Sequence, residues 1–388
     1  MKVGDEIFSE KGQLIEIKNI FHRGLQKCYK FTFNDRTNIE VDEDHIWSLM
    51  GFYERYSKET GRGNKNHKYK KWQLLSTKQI IKKYGLGKIG WRKSFIIPQN
   101  KPLNYLYQDV PIEPYLLGLL IGDGSFKKSS VYFTTADEKL IDYIGICYKV
   151  TKCKGYDYRI LKIMPQIKEL NLYHKRSWEK HIPSQYLFNS FNIRLSLLQG
   201  LMDTDGSIEK NGKTIEYSTV SEQLAKDVAF LVRSLGGRVT ITTKKPIYTY
   251  KGEKKEGRLC YRCFITLDSY NPFLLLRKAK RYIPKLIHGH KYVTKIEETG
   301  YKETICLEVD NPSGLYIAQD FIVTHNTGFA LNFATKNSGN GMQVRYVSSE
   351  FGAAELRDRL EPMEINIPQW LKNVEFGAFM RNTLQDVI

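Results

Sequence analysis

Two aspartates, Asp123 and Asp205, close two similar apolar segments. YLLGLLIGDGSF (115–126) and LLQGLMDTDGSI (197–208) each end in Asp-Gly-Ser. One Asp-Gly alone is an ordinary turn or helix stop. Two copies, each after a glycine-containing apolar run, carry more weight. Packed side by side, with Gly118 and Gly200 allowing close approach, the runs bring both carboxylates to helix C-termini. There the negative dipole ends add to their mutual repulsion. A divalent cation relieves that repulsion, and hard oxygen ligands favour Mg²⁺. Beside a phosphodiester such an ion activates water and stabilises the leaving oxygen. Asp123 and Asp205 are therefore the candidate metal ligands.

The elements that must position them repeat as well. Pro114 suits a first helical position, and Gly124 and Gly206 suit a C-terminal stop. Downstream, VYFTTADEKL (131–140) parallels IEYSTVSEQL (215–224), a short strand and then a helix. Asp137 and Ser221 are the candidate N-caps. A unit of about 80 residues occurring twice reads as a duplicated α/β module, not a short-period solenoid.

These paired segments resemble the motifs of the LAGLIDADG homing endonucleases over roughly 114–290. The resemblance implies an αββαββα arrangement in a monomeric pseudo-dimer. Its saddle of two sheets would lie in the major groove of double-stranded DNA. It assigns the metal-binding acids to Asp123 and Asp205, and the first acid of the consensus falls on Ile121 and Asp203. The family's lysine before Ile-Pro corresponds to Lys180, ahead of His181-Ile182-Pro183, where a positive charge would polarise water or steady a phosphate. Lys278 is a weaker candidate for the matching role in the second half.

Charge agrees with a polyanionic partner. Lys plus Arg number 60 against 42 acids, a net +18. Over 51–93 thirteen basic residues face two acids, with Tyr53, Tyr56, Tyr69, Trp72, Tyr84 and Trp91 interleaved. Such a strip suits phosphate contacts. Residues 327–388 differ, with six basic and seven acidic residues, so composition changes near 326. No apolar run reaches the ~20 residues of a membrane span. MKVGDEI lacks the apolar stretch of a signal peptide, so an intracellular, cytoplasmic protein is expected. Six cysteines spread along the chain do not form a disulfide scaffold. The lone Cys260-x-x-Cys263 reads as ordinary thiols.

At the composition boundary, TICLEVDNPSGLYIAQDFIVTHN (304–326) closely resembles the C-terminal end of inteins, whose all-β Hint fold often carries an inserted LAGLIDADG endonuclease. VGDEIF (3–8), TFNDRTNIEV (32–41) and Asp42-Glu43-Asp44-His45 resemble its N-terminal part. The resemblance gives His45 a contact with the upstream scissile amide; Asp42 stands where the family has Thr. Asn326 would cyclise to a succinimide and cut the chain after itself. His325 would serve as acid or base, Thr327 as the acceptor hydroxyl, and Cys306 would assist both ends. Gly314 replaces a frequent His.

Position 1 is Met, not the Cys or Ser that starts splicing. The expected partner is therefore a complementary N-terminal intein fragment bearing its N-extein; a truncated reading frame is the alternative. The tail, TGFALNFA then VRYVSSEF (344–351) then AAELRDRL (353–360), resembles the part of a RecA-like P-loop ATPase that follows its phosphate loop.

The expected architecture is multidomain. An all-β horseshoe Hint domain (1–50 and 291–326) is interrupted by a basic DNA-contacting insert (51–110) and an α+β LAGLIDADG pseudo-dimer (111–290). A partial α/β RecA-like fragment (327–388) follows. The expected activities are trans-splicing and Mg²⁺-dependent site-specific DNA cleavage. Two alternatives remain: an endonuclease with splicing lost, and a fragment of a DNA-dependent ATPase, which the missing P-loop disfavours.

Overall fold

The computed structural model describes residues 1–51, 72–90, 94–126, 130–212, 214–250, 252–267, 269–284 and 290–325, and the strands Val344–Ser348 and Val374–Ala378. Asn326, Thr327 and most of the basic strip lie outside these residues. Among the described residues no helix is long and apolar enough to cross a membrane.

The first unit is β-rich and built from both ends of the chain. Strand Leu14–Phe33 runs antiparallel to Val293–Val309 along nearly its whole length, with bulges. Strands Glu6–Phe8, Asn38–Asp42 and Gly87–Lys88 complete that sheet. A second sheet joins Gln73–Ser76, Ile46–Gly51 and Phe95–Ile96. Between the sheets lies a core of Phe31, Phe33, Trp47 and Ile322.

Residues 73–97 were expected in a DNA-contacting insert, and their described part is placed differently. Ile80, Ile89, Phe95 and Ile97 fill this same core. Helix Thr77–Tyr84, opened by a Ser76/Gln79 capping box, turns only Ile80 and Thr77 fully inward. Its lysines, Lys78, Lys82 and Lys83, stay outside, an amphipathic pattern.

The second unit is duplicated. Each half runs helix, strand, strand, helix, strand, strand, helix. In the first half the sheet order is Val150–Lys152, Asp157–Ile160, Val131–Thr134, Gly124–Ser125; in the second it is Gly206–Ile208, Ile215–Thr219, Cys260–Thr266, Arg238–Lys244. All neighbours are antiparallel, and equivalent strands occupy equivalent places. The second half adds a hairpin, Ile247–Tyr250 with Glu253–Glu256. Helices Pro114–Asp123 and Phe191–Thr204 form the shared core of the two halves.

The link between units is stapled to both. Lys101 and Asn104 donate backbone N–H groups to Glu10 and Gly12, and Leu103 donates to Ser234. Arg194, fully buried, donates to the carbonyls of Leu103, Ser234 and Asn189. In the tail, Val344–Ser348 pairs parallel with Val374–Ala378. The first of these strands was foreseen; the second was not.

Candidate active sites

The first site forms where the two long helices end. Pro114 opens the first helix at its first turn, and the Glu113 carboxylate accepts from the N–H groups of Tyr115 (3.0 Å) and Leu116 (2.8 Å). Eight of its ten residues are buried. The helices cross at two glycines. A Cβ on Gly118 would lie 2.4 Å from the Leu197 carbonyl oxygen, and one on Gly200 would lie 2.1 Å from that of Tyr115. Only glycine permits this approach.

The expected glycine stops work by a different physical means. Gly124 has φ −80, not a left-handed value. A Cβ there would lie 2.3 Å from the Leu120 carbonyl oxygen, and one on Gly206 2.4 Å from that of Met202. These glycines let each strand leave directly over the last helical turn.

Asp123 and Asp205 therefore face the same space. Both side chains are exposed, and among the described residues neither makes an ion pair or hydrogen bond. Burial of the surrounding surface pushes the Asp205 carboxyl up to about 6, and the Asp123 charge pushes the same way. Burial also raises Asp123, against the pull of Lys180 and Lys278. Tyr217 is fully buried beside both acids, and its hydroxyl has no partner among the described residues. Two crowded carboxylates and an orphaned hydroxyl fit a hard divalent cation with its water. No group of three acidic, His or Cys side chains gathers anywhere among the described residues.

Two lysines close the site. Lys180 Nζ donates to the carbonyls of Ile121 (2.6 Å), Gly122 (2.8 Å) and Gly124 (2.8 Å). Lys278 Nζ donates to those of Met202 (2.9 Å), Asp203 (2.8 Å), Thr204 (3.3 Å) and Gly206 (2.6 Å). Both are buried. Burial pulls the Lys278 ammonium down to about 8. Three carbonyls accept from Lys180, whose ammonium has three N–H donors. These bonds hold the Lys180 ammonium in place as a positive charge beside the site. Lys278, weighted lower from sequence, is its structural equal.

Asp203 is buried and tied into the frame through one of its oxygens. Its Oδ2 accepts from the Tyr115 hydroxyl (2.8 Å) and from the N–H groups of Leu274 (3.0 Å) and Leu275 (2.9 Å). Ile121, its counterpart, is fully buried. On the sheet faces turned from the core stand Tyr132, Arg159, Glu216, Ser218, Arg262 and Phe264, all half-buried. Arg262 forks onto Glu216 with two 2.5 Å bonds, which lowers the Glu216 carboxyl.

The second site lies at the end of the β-unit. Strand Val323–His325 pairs with Leu315–Ile317, and Leu315 stands opposite His325. The His45 Nε2 bonds the Thr324 hydroxyl. Its ring packs edge-on against Trp47, with centroids 5.1 Å apart. Burial drives the His45 imidazole down to about 4, so it is neutral at pH 7. Asp42 is buried and answered by Arg23 at 2.9 Å, which also reaches Asp44 at 2.7 Å. The other Asp42 oxygen accepts from the Asp44 N–H (3.0 Å). Asp42 thus fixes the turn that carries His45. Arg23 was missed from sequence, since only the strand pairing brings it to that turn.

Cys306 lies near Arg23 and Asp42. Burial pushes its thiol up to about 11, so it is protonated at pH 7. His325 is buried. The structure brings His45, Asp42, Cys306 and His325 into one end of the β-unit; Asn326 and Thr327 lie outside the described residues.

Residues 192–274 match the family described as LAGLIDADG-like domain. The chain is 26% identical over 377 residues to the replicative DNA helicase DnaB of Mycobacterium intracellulare, covering 94% of this chain and 62% of that protein. It is 30% identical over 185 residues to the ATP-dependent DNA helicase Hel308 of Thermococcus kodakarensis, covering 40% of this chain and 16% of that one. The chain therefore spans less than two thirds of either helicase. Among solved structures, mesophilic variants of the homing endonuclease I-DmoI are similar at 18% identity and TM-score 0.29, over 43% of this chain and 94% of theirs. I-DmoI in complex with DNA and Ca is similar at 17% identity and TM-score 0.28, over 43% and 94%.

Proposed function

We propose that this chain is a protein-splicing element that houses a Mg²⁺-dependent, site-specific endonuclease for double-stranded DNA. The observation that carries the nuclease reading is the paired site: Asp123 and Asp205 at the ends of two glycine-crossed helices, each end capped by a buried lysine. Asp123 and Asp205 would hold the cation, which when bound supplies an activated water and neutralises the leaving oxygen. Lys180 and Lys278 keep the helix ends rigid and the site electropositive enough to accept a phosphate. The outer sheet faces, with Arg159 and Arg262 among their polar side chains, suit the edges of a duplex groove. The two halves would act as a monomeric pseudo-dimer on one long site, in the cytoplasm of a prokaryote or of a cell infected by a phage.

The splicing reading rests on the second site. A neutral His45 bonded to Thr324 reaches across from the N-terminal half to the strand entering the junction. Asn326 cyclises through its side-chain amide, His325 moves the proton, and Thr327 is the acceptor. The first nucleophile comes from a Hint segment upstream, supplied in trans in the split form of this reading. Residues 327–388 then belong to the host, and the similarity to DnaB supports a replicative helicase there.

Two experiments test these readings. A randomised duplex library treated with the full chain and Mg²⁺ should be cut at one enriched sequence; no enrichment contradicts the nuclease reading. Mixing the chain with an N-terminal intein segment should join the flanking host pieces. If Asn326→Ala abolishes neither joining nor tail release, the splicing reading fails.

A further inference from the structure

The hairpin that delivers the junction has an unusual tip. Between strands Leu315–Ile317 and Val323–His325, Asp320 and Phe321 both adopt left-handed backbone, with φ 54 and 57. Non-glycine residues disfavour this region, and two in succession need outside support.

That support comes from the duplicated unit. Helix Glu222–Ser234 sends Arg233 to Asp320, with Nη1 to Oδ1 at 2.7 Å in a largely buried pair. From the same helix Phe230 meets Phe321 edge-on, with centroids 5.2 Å apart. Phe230 in turn packs on Phe188 (5.2 Å), Phe188 on Tyr105 (5.7 Å), and Tyr105 on Phe8 of the β-unit (4.9 Å). On the opposite side, buried Lys291 donates to the Asp320 carbonyl (2.8 Å) and pairs with Asp35 (3.2 Å). A cavity of about 690 Å³ borders the tip, lined in part by Tyr105, Lys226, Phe230, Arg233, Asp320 and Phe321. Beside that open space, Arg233 and Phe230 are what fix the conformation of the tip from the duplicated unit.

We propose that Arg233 and Phe230, residues of the nuclease unit, are positioning residues for the splicing reaction: they hold the Asp320–Phe321 tip so that the following strand presents His325 and the junction in register with His45. This rests on the splicing reading above. Register is strict in a short hairpin, because a one-residue slip turns every side chain to the other face. The bond between Thr324 and His45 would be lost first. Neither Arg233 nor Phe230 lies at the Asp123/Asp205 site, so DNA cleavage should not depend on them. The nuclease unit would thus be part of the splicing apparatus and not only a passenger within it.

The test follows release of the tail after Asn326 from the full chain mixed with an N-terminal intein segment, by mass spectrometry over time. Asn326→Ala gives the background. Arg233→Ala and Phe230→Ala should each slow release by about tenfold, the scale of a small misplacement of reacting groups. Arg233→Lys should restore most of the rate, because the charge and reach to Asp320 return. DNA cutting by all three variants should stay within about twofold of the parent. Release from Arg233→Ala at the parental rate, with Asn326→Ala still inactive, overturns the proposal and leaves the splicing reading intact. Equal losses of release and DNA cutting, without recovery in Arg233→Lys, also overturn it, since they report general unfolding. If the parent shows no Asn326-dependent release, the splicing reading falls and this proposal with it.

Discussion

Lys180 and Lys278 cap equivalent carbonyls in the two repeats. Ile121, Gly122 and Gly124 accept from the first, and their repeat counterparts Asp203, Thr204 and Gly206 accept from the second. The added hairpin at 247–256 lengthens the spacing from motif to lysine in the second repeat. A cation at a helix C-terminus opposes the dipole and satisfies the last carbonyls. Here it also sets a positive charge beside each acid.

Removing either lysine leaves a cluster of buried carbonyls without a donor. Lys180→Met and Lys278→Met should each destabilise by about 2–4 kcal/mol and suppress DNA cutting. Urea unfolding of both variants measures this. A loss near zero for one of them would show that its carbonyls find other donors.

The glycine crossing sets the separation of the acids. Gly118→Ala or Gly200→Ala forces a methyl into opposing backbone, at about 1–3 kcal/mol. Cutting should fall more than stability alone accounts for, because the two carboxylates move apart. Thermal unfolding and cleavage rates on the same samples separate the two effects.

Crowded acids carry a stability penalty that appears as pH rises and vanishes in acid. The folded Asp205 carboxyl is raised to about 6 from an ordinary 3.8. Its favourable contribution is complete below about pH 4 and lost as pH rises through 6. Asp205→Asn should therefore stabilise the metal-free protein at pH 8, by about 1 kcal/mol after solvent screening is allowed for. At pH 4 the gain should vanish. Calorimetry in EDTA at both values checks the sign.

His45 shows the opposite case. Its imidazole is held near 4 when folded, against 6.5 when free. The unfolded chain binds the extra proton first, so stability should decline as pH falls from about 6.5 to 4. His45→Gln should flatten that part of the profile, as followed by unfolding midpoints across the range.

Much of the duplicated unit was legible in its residues. Pro114, Asp137 and Ser221 stand where helix-start chemistry put them, and the Asp-Gly-Ser pair marks the two helix ends that come together. Other features depend on contacts distant in sequence. Arg23 reaches Asp42 across a strand pair, and Asp203 is claimed by Tyr115 and two backbone N–H groups. Gly124 was legible as glycine but not for its reason: the limit is a carbonyl overhead, not a left-handed φ. Within the expected insert, Ile80, Phe95 and Ile97 are buried by tertiary packing that a count of charge along the chain does not reveal.

The paired carboxylates are the centre of this account, and cutting of the library-selected duplex tests them directly. The parent chain should cut in Mg²⁺ and not in EDTA. Asp123→Asn and Asp205→Asn should each bind the duplex as the parent does and leave it intact. Cutting at the parental rate by either variant would contradict the assignment of Asp123 and Asp205 as the DNA-cleaving centre.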